Sequence, residues 1–147
     1  MQAPAIDPPG RAAIQPFHAA MLAGAAPLFV GALLADWAYA KSYQVQWSDF
    51  ASWLLIGAMV PATLALTCAL AERVRGGGAG VSYPVVLAAA WIVGVLDALH
   101  HARDAWAIMP VAPVLSLVAA VLACIATWIG VSRLRAISTA SALSGEM

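Results

Sequence analysis

The chain is short of charge. Only 10% of its 147 residues are Asp, Glu, Lys or Arg, against about 25% in soluble domains. With 63% hydrophobic residues and a mean hydropathy of +0.87, it has too little polar surface to clothe a water-soluble fold. Its seven basic and seven acidic residues cancel, so the basic excess that nucleic acid requires is missing. Cysteine is scarce too. Cys68 and Cys124 form no CxxC, no zinc-type Cys/His spacing occurs, and both thiols are expected to be free and buried at different depths. Gly76–Gly80, the one glycine-dense stretch, lacks the Lys and Ser/Thr of a phosphate-binding loop, and no nucleophile triad is present. Gln2 stands where N-myristoylation needs glycine. No catalytic residue is assigned.

What the chain has instead is long uncharged runs. Charge falls between them, as it does between membrane spans. Four spans are expected, at about 16–40, 50–71, 82–103 and 107–132. The first is read as a retained helix, because no convincing cleavage site follows it. Pro27 and Pro61 fall near the middles of the first two, where kinks are expected. Residues 1–15 and 136–147 read as flexible tails, 42–49 as an interfacial linker, and Gly76–Gly80 as a flexible loop. Short connections make this an all-α, integral membrane, four-helix up-and-down bundle in which the first and third spans run parallel. Ala20/Gly24, Ala90/Gly94 and Ala119/Ala123 are spaced for close helix contact.

Basic residues set the expected orientation. Arg11, Arg73, Arg75, Arg133 and Arg135 collect on one side, and only Lys41 and Arg103 on the other. The positive-inside rule then puts both termini in the cytoplasm of a bacterial inner membrane. Trp37, Trp47, Trp53 and Trp106 gather toward the outer side, as an aromatic belt or as a docking surface for a periplasmic partner.

The polar residues concentrate in Asp97-Ala-Leu-His100-His101-Ala-Arg103-Asp104-Ala-Trp106. On a helix Asp97, His100, His101 and Asp104 share a face. Asp97 lies about 22 Å along the third span from Ser82, inside the hydrocarbon near its outer edge. Asp36 sits at a similar level on the first span, so these groups are expected to converge at the outer mouth. Ionisable groups at membrane depth usually face a bundle interior or a polar cavity. Three readings stay open. One is a structural hydrogen-bonded cluster neutralised by Arg103 or Lys41. The second is a transition-metal or haem site drawing on His100, His101, Asp97 or Asp104. The third is a proton or ion route.

Haem b meets a geometric obstacle. His18 opens the first span while His100 and His101 close the third, which separates them by roughly 25 Å along parallel axes. Adjacent His100 and His101 point about 100° apart and cannot ligate opposite faces of one iron. A histidine paired with Met109, or a haem shared between chains of an oligomer, is what survives. His18 with Met21 forms a soft pair that suits copper(I), against the plainer reading of an interfacial His beside a packed Met.

Two sets of residues resemble a known family. His18-x-x-Met21, Pro27, Ala35-Asp36-x-x-Tyr39 and Ala51-Ser-Trp53-Leu-Leu-x-Gly57 form one set. His100-x-x-Arg103-Asp104-x-Trp106, with Pro110, Ser116 and Trp128-Ile-Gly130, forms the other. In that order, over roughly residues 15–131, the chain resembles the bacterial four-span membrane family catalogued as domain of unknown function 2231. It departs from that pattern in having few His and Pro residues before the first span. It also has Ser132-Arg133-Leu-Arg135 in place of a glycine- and valine-rich C-terminal segment. The resemblance implies a membrane electron-transfer setting, beside redox modules of the Rieske, cytochrome c or sugar dehydrogenase kind.

The expected function is therefore a small integral membrane subunit that anchors or couples a periplasmic redox partner. Its outer face would use Asp36, Trp37, His100, His101, Arg103, Asp104 and Trp106. Asp97 and Asp104 would orient the imidazoles, Arg103 would pair with a carboxylate, and the tryptophans would seat the partner or a quinone. The alternatives are a haem- or metal-binding electron-transfer protein and a transporter. For the transporter, the inner halves of the spans offer only Thr63, Thr67, Cys68, Cys124 and Thr127.

Overall fold

A backbone that crosses hydrocarbon has to satisfy its own hydrogen bonds, and this chain does so with helices. The computed structural model describes the backbone of residues 9–75 and 81–145, and the side chains of residues 16–75, 81–104, 107–133 and Arg135. The elements are α1 (Pro9–Ser42), α2 (Val45–Val74), α3 (Ser82–His101), a short 3₁₀ segment (Ala105–Ile108) and α4 (Val111–Gly145). No strand occurs among the described residues. Each α-helix contains a stretch long and apolar enough to cross a bilayer: Pro16–Ser42, Val45–Val74, Ser82–His101 and Val111–Arg133. The protein is an all-α, multi-pass membrane bundle.

The boundaries move in instructive ways. The linker expected over 42–49 shrinks to two residues, Tyr43 and Gln44. Tyr43 takes a left-handed φ of 53°, its N–H donates to the Tyr39 carbonyl at 2.7 Å, and its ring meets Tyr39 edge-on. A left-handed residue just past a helix end reverses the chain abruptly, which is why α2 restarts at once. The expected tails are helical from Pro9 and as far as Gly145, and α4 runs past Arg133 without stopping. Pro27 and Pro61 lie inside continuous helices. Residues 1–8, the Gly76–Gly80 loop and the Trp106 side chain lie outside the described residues.

Buried positions recur at alternating steps of four and three on every helix. On α1 the stripe is 18, 22, 25, 29, 32, 36 and 39, with Ala26 and Ala35 buried beside it, and on α2 it is 48, 51, 55, 58, 62, 65 and 69. On α3 it is 83, 87, 90, 94, 97 and 101, with Pro84 beside it, and on α4 it is 112, 116, 119, 123, 126 and 130, with Ala120 beside it. That mean step of 3.5 keeps one stripe facing a partner and carries a left-handed supercoil. Lipid tails are as apolar as Leu, so burial alone does not drive the helices together; close packing has to. Alanine dominates the stripes accordingly: Ala32, Ala51, Ala58, Ala65, Ala112, Ala119 and Ala126 are fully enclosed.

Consecutive helices pack side by side and α4 closes the ring against α1, which leaves α1 and α3 on a diagonal. Gly94 on α3 stands close to both α1 and α2. A Cβ there would lie 2.8 Å from Met59 Sδ and 2.9 Å from Phe29 Cε1. Ala90/Gly94 and Ala119/Ala123 are thus real contact positions. Ala20/Gly24 is not, since a Cβ on Gly24 would meet nothing within 4 Å and Ala20 is exposed.

Candidate functional site

Among the described residues the buried polar or charged side chains are His18, Asp36, Ser48, Asp97, His101 and Ser116, and all lie on the packing stripes. Four of them meet. α1 contributes Asp36, α3 contributes Asp97 and His101, and α4 contributes Ser116, near the end of the bundle that carries Lys41. The spacing explains the selection. Asp97 and His101 are four apart on the α3 stripe, while His100 falls beside it and α3 ends before Asp104.

His101 is the hub. Its Nδ1 lies 3.0 Å from the Asp97 carbonyl oxygen, an acceptor with no hydrogen, so Nδ1 carries the proton and donates it. Its Nε2 lies 2.8 Å from Asp36 Oδ1, with a proton between them. Asp97 Oδ1 is 3.2 Å from Nδ1, too poorly aligned for a hydrogen bond, and is left without a hydrogen-bond partner. Ser116 Oγ stands between the two acids, against Asp36 Oδ2 on one side and 2.8 Å from Asp97 Oδ2 on the other. A hydroxyl has one hydrogen to donate, so two carboxylates around it call for one further positive charge, either a proton or a cation. Neither Asp36 nor Asp97 has any exposed surface. An acid left unpaired at membrane depth costs about 3 kcal/mol, and the cluster avoids that by bringing its partners together.

Apolar residues seal both sides. Tyr39, Ile108 and Ala112, with Met109 against them, pack beyond the cluster toward the Lys41 end. Ala25, Phe29, Ala32, Leu55, Ala119 and Ala123 fill the bundle on the other side. Past that core, His18 Nε2 and Tyr83 Oη share a short hydrogen bond, the second link between α1 and α3. No continuous polar line joins the two links among the described residues. The hydroxyls expected to line a route are spent locally: Thr63 and Thr67 donate to carbonyls of their own helix, and Thr127 to the Leu22 carbonyl.

Several sequence expectations need correction. His100 is half-buried and its Nε2 donates to the Ile108 carbonyl at 3.2 Å, which holds the 3₁₀ segment and keeps His100 out of the cluster. Arg103 and Asp104 are exposed, and Asp104 caps the 3₁₀ segment through its backbone carbonyl. Neither Arg103 nor Lys41 neutralises the buried acids; the Lys41 ammonium sits 5.6 Å from the Trp37 ring centroid. Met109 packs beside Ile108, while the nitrogens of His101 face Asp36 and Asp97. His18 pairs with Tyr83, and Met21 packs in the apolar cluster around Leu22. Cys68 is half-buried and Cys124 is exposed on the bundle surface, so the thiols are free but Cys124 is not in the core.

Sequence reasoning missed Ser116 and Tyr83 as site residues. A signal for Ser116 exists: it is the polar member of the small-residue stripe Ala112, Ser116, Ala119, Ala123, Ala126 and Gly130. No family model, curated protein or solved structure matches this chain.

Proposed function

We propose that the protein is a small membrane subunit that anchors or couples a redox partner at its Lys41 end. The observation that carries this reading is a rigid platform under an exposed rim. Asp36, Asp97, His101 and Ser116 tie the ends of α1, α3 and α4 together, and Trp37, Lys41, Trp47, Arg103 and Asp104 stand exposed at that end. Aromatic and arginine side chains on pre-organised backbone are the usual anchors of a docking surface, because little ordering entropy is lost on binding. The buried acids and His101 serve the rim indirectly, by fixing the helix ends beneath it.

The unequal basic residues support an orientation with this rim in the periplasm and both termini in the cytoplasm of a bacterial inner membrane. The resemblance of the ordered motifs over roughly residues 15–131 to the family of unknown function 2231 supports the redox setting. The test is site-specific photo-crosslinking in native membranes, with the probe placed at Trp37, Arg103, Arg75 or Ser82. Probes at Trp37 and Arg103 are expected to trap one haem- or iron–sulfur-bearing protein, and those at Arg75 and Ser82 are not. Adducts confined to the Arg75/Ser82 end, or none from the rim, would refute the reading.

A further inference from the structure

We propose that Asp36, Asp97 and His101 form an intramembrane site for one divalent first-row transition ion. One donor atom from each lies within 4.8 Å of the others, and all three residues are buried. Three protein ligands of this kind leave a position for a further donor, and the Ser116 hydroxyl already stands between the two carboxylates.

The imidazole is prepared for the task. A metal-bound histidine nearly always donates its other ring N–H to a carbonyl or carboxylate, which fixes the tautomer and the ring plane. His101 Nδ1 is held in this way by the Asp97 carbonyl at 3.0 Å, and that directs Nε2 to Asp36. Charge points the same way. Two carboxylates face one hydroxyl that can satisfy only one of them, and Asp97 Oδ1 is buried with no hydrogen-bond partner. A divalent cation matches the formal charge of both acids, in a place where hydrocarbon makes unneutralised carboxylates costly.

Donor chemistry narrows the ion. One imidazole with two carboxylates suits zinc(II), manganese(II) or iron(II), while copper(I) prefers thiolate or thioether sulfur. The apolar core inward of the site makes it a place of residence, not a step in a conduction path. This proposal is independent of partner docking, and each can fail without the other.

The experiment uses the full chain in lipid nanodiscs, stripped with chelator and titrated with cobalt(II) as a visible probe, with zinc(II) and manganese(II) as competitors. One cobalt per chain is expected, with d–d bands of nitrogen and oxygen ligation that zinc displaces, and a rise in melting temperature on loading. Loss of an outer-shell partner costs about 10–100-fold in metal affinity, so Asp97→Asn and His101→Gln are each expected to lose more than about 100-fold. Asp104→Asn and His100→Ala are expected to bind as the parent does. Failure of the unmodified chain to bind any of the three ions, with no shift in melting temperature, overturns the proposal whether or not the variants fold. So does cobalt affinity that is unchanged in folded Asp97→Asn and His101→Gln.

Discussion

Asp36 and His101 are 65 residues apart in sequence and 2.8 Å apart in space, and His18 and Tyr83 repeat that offset at the far end of the same two helices. Phe29 and Gly94, which lie between those two pairs and close to each other, share it too. Parallel helices that keep one stripe facing the bundle axis stay in register along their whole length, so one constant offset pairs residue with residue. α1 and α3 are therefore stitched across the diagonal twice, with an apolar zip between.

The Asp36–His101 contact is a buried pair, and such a pair is costly to break on one side. Asp36→Leu and His101→Leu are each expected to destabilise the protein by about 3–5 kcal/mol, because each strands the other partner in hydrocarbon. The double variant is expected to be more stable than the sum of the two losses, by about 0.5–3 kcal/mol of coupling. Unfolding in mixed detergent micelles measures all three. Strict additivity would mean that the contact contributes nothing.

Tyr83→Phe keeps the ring beside His18 and removes only the hydroxyl. Interhelical hydrogen bonds in membranes average about 0.6 kcal/mol and reach about 1.7, so a loss in that range is expected. His18 Nδ1 already lacks a hydrogen-bond partner, so the variant would leave both ring nitrogens unsatisfied and the loss should sit near the top of the range. The same unfolding assay reads it. A loss as large as that of Asp36→Leu would show that the two ends of the diagonal matter equally.

Two glycines, one on α3 and one on α1, should respond oppositely. Gly94→Ala drives a methyl into Phe29 and Met59 and is expected to cost about 1–3 kcal/mol through overpacking. Gly24→Ala meets open space and is expected to stabilise α1 by up to about 1 kcal/mol through helix propensity. Thermal midpoints of the two variants, compared in one lipid, test both signs at once.

The cysteines offer a check on the packing. Cys124 is exposed on the bundle surface and Cys68 is half-buried. A carbene photoprobe dissolved in the lipid, which needs no thiolate, is expected to label Cys124 several-fold more than Cys68 in the folded protein. Mass spectrometry of the labelled peptides gives the ratio. Heavier labelling of Cys68 would place the wrong face of α4 against lipid.

What the sequence determined by itself is the number of spans, their order, and the end at which polar groups gather. Hydrocarbon forces those answers: a crossing needs about 20 apolar residues, and charge is excluded except where it is paired. Asp36 and Asp97 were legible for that reason, each an isolated acid near the end of an uncharged run. Which histidine joins them was not. His100 and His101 are neighbours in the chain, but a helix turns them about 100° apart, and only packing against α1 decides which faces inward. The 3.5-residue stripe chose His101 and left His100 to the Ile108 carbonyl. Ser116 and Tyr83 lay further from view, because a lone hydroxyl in an apolar helix has meaning only through what it meets on another. Tertiary structure supplied those partners, and with them the difference between a polar rim and a sealed cluster inside the membrane.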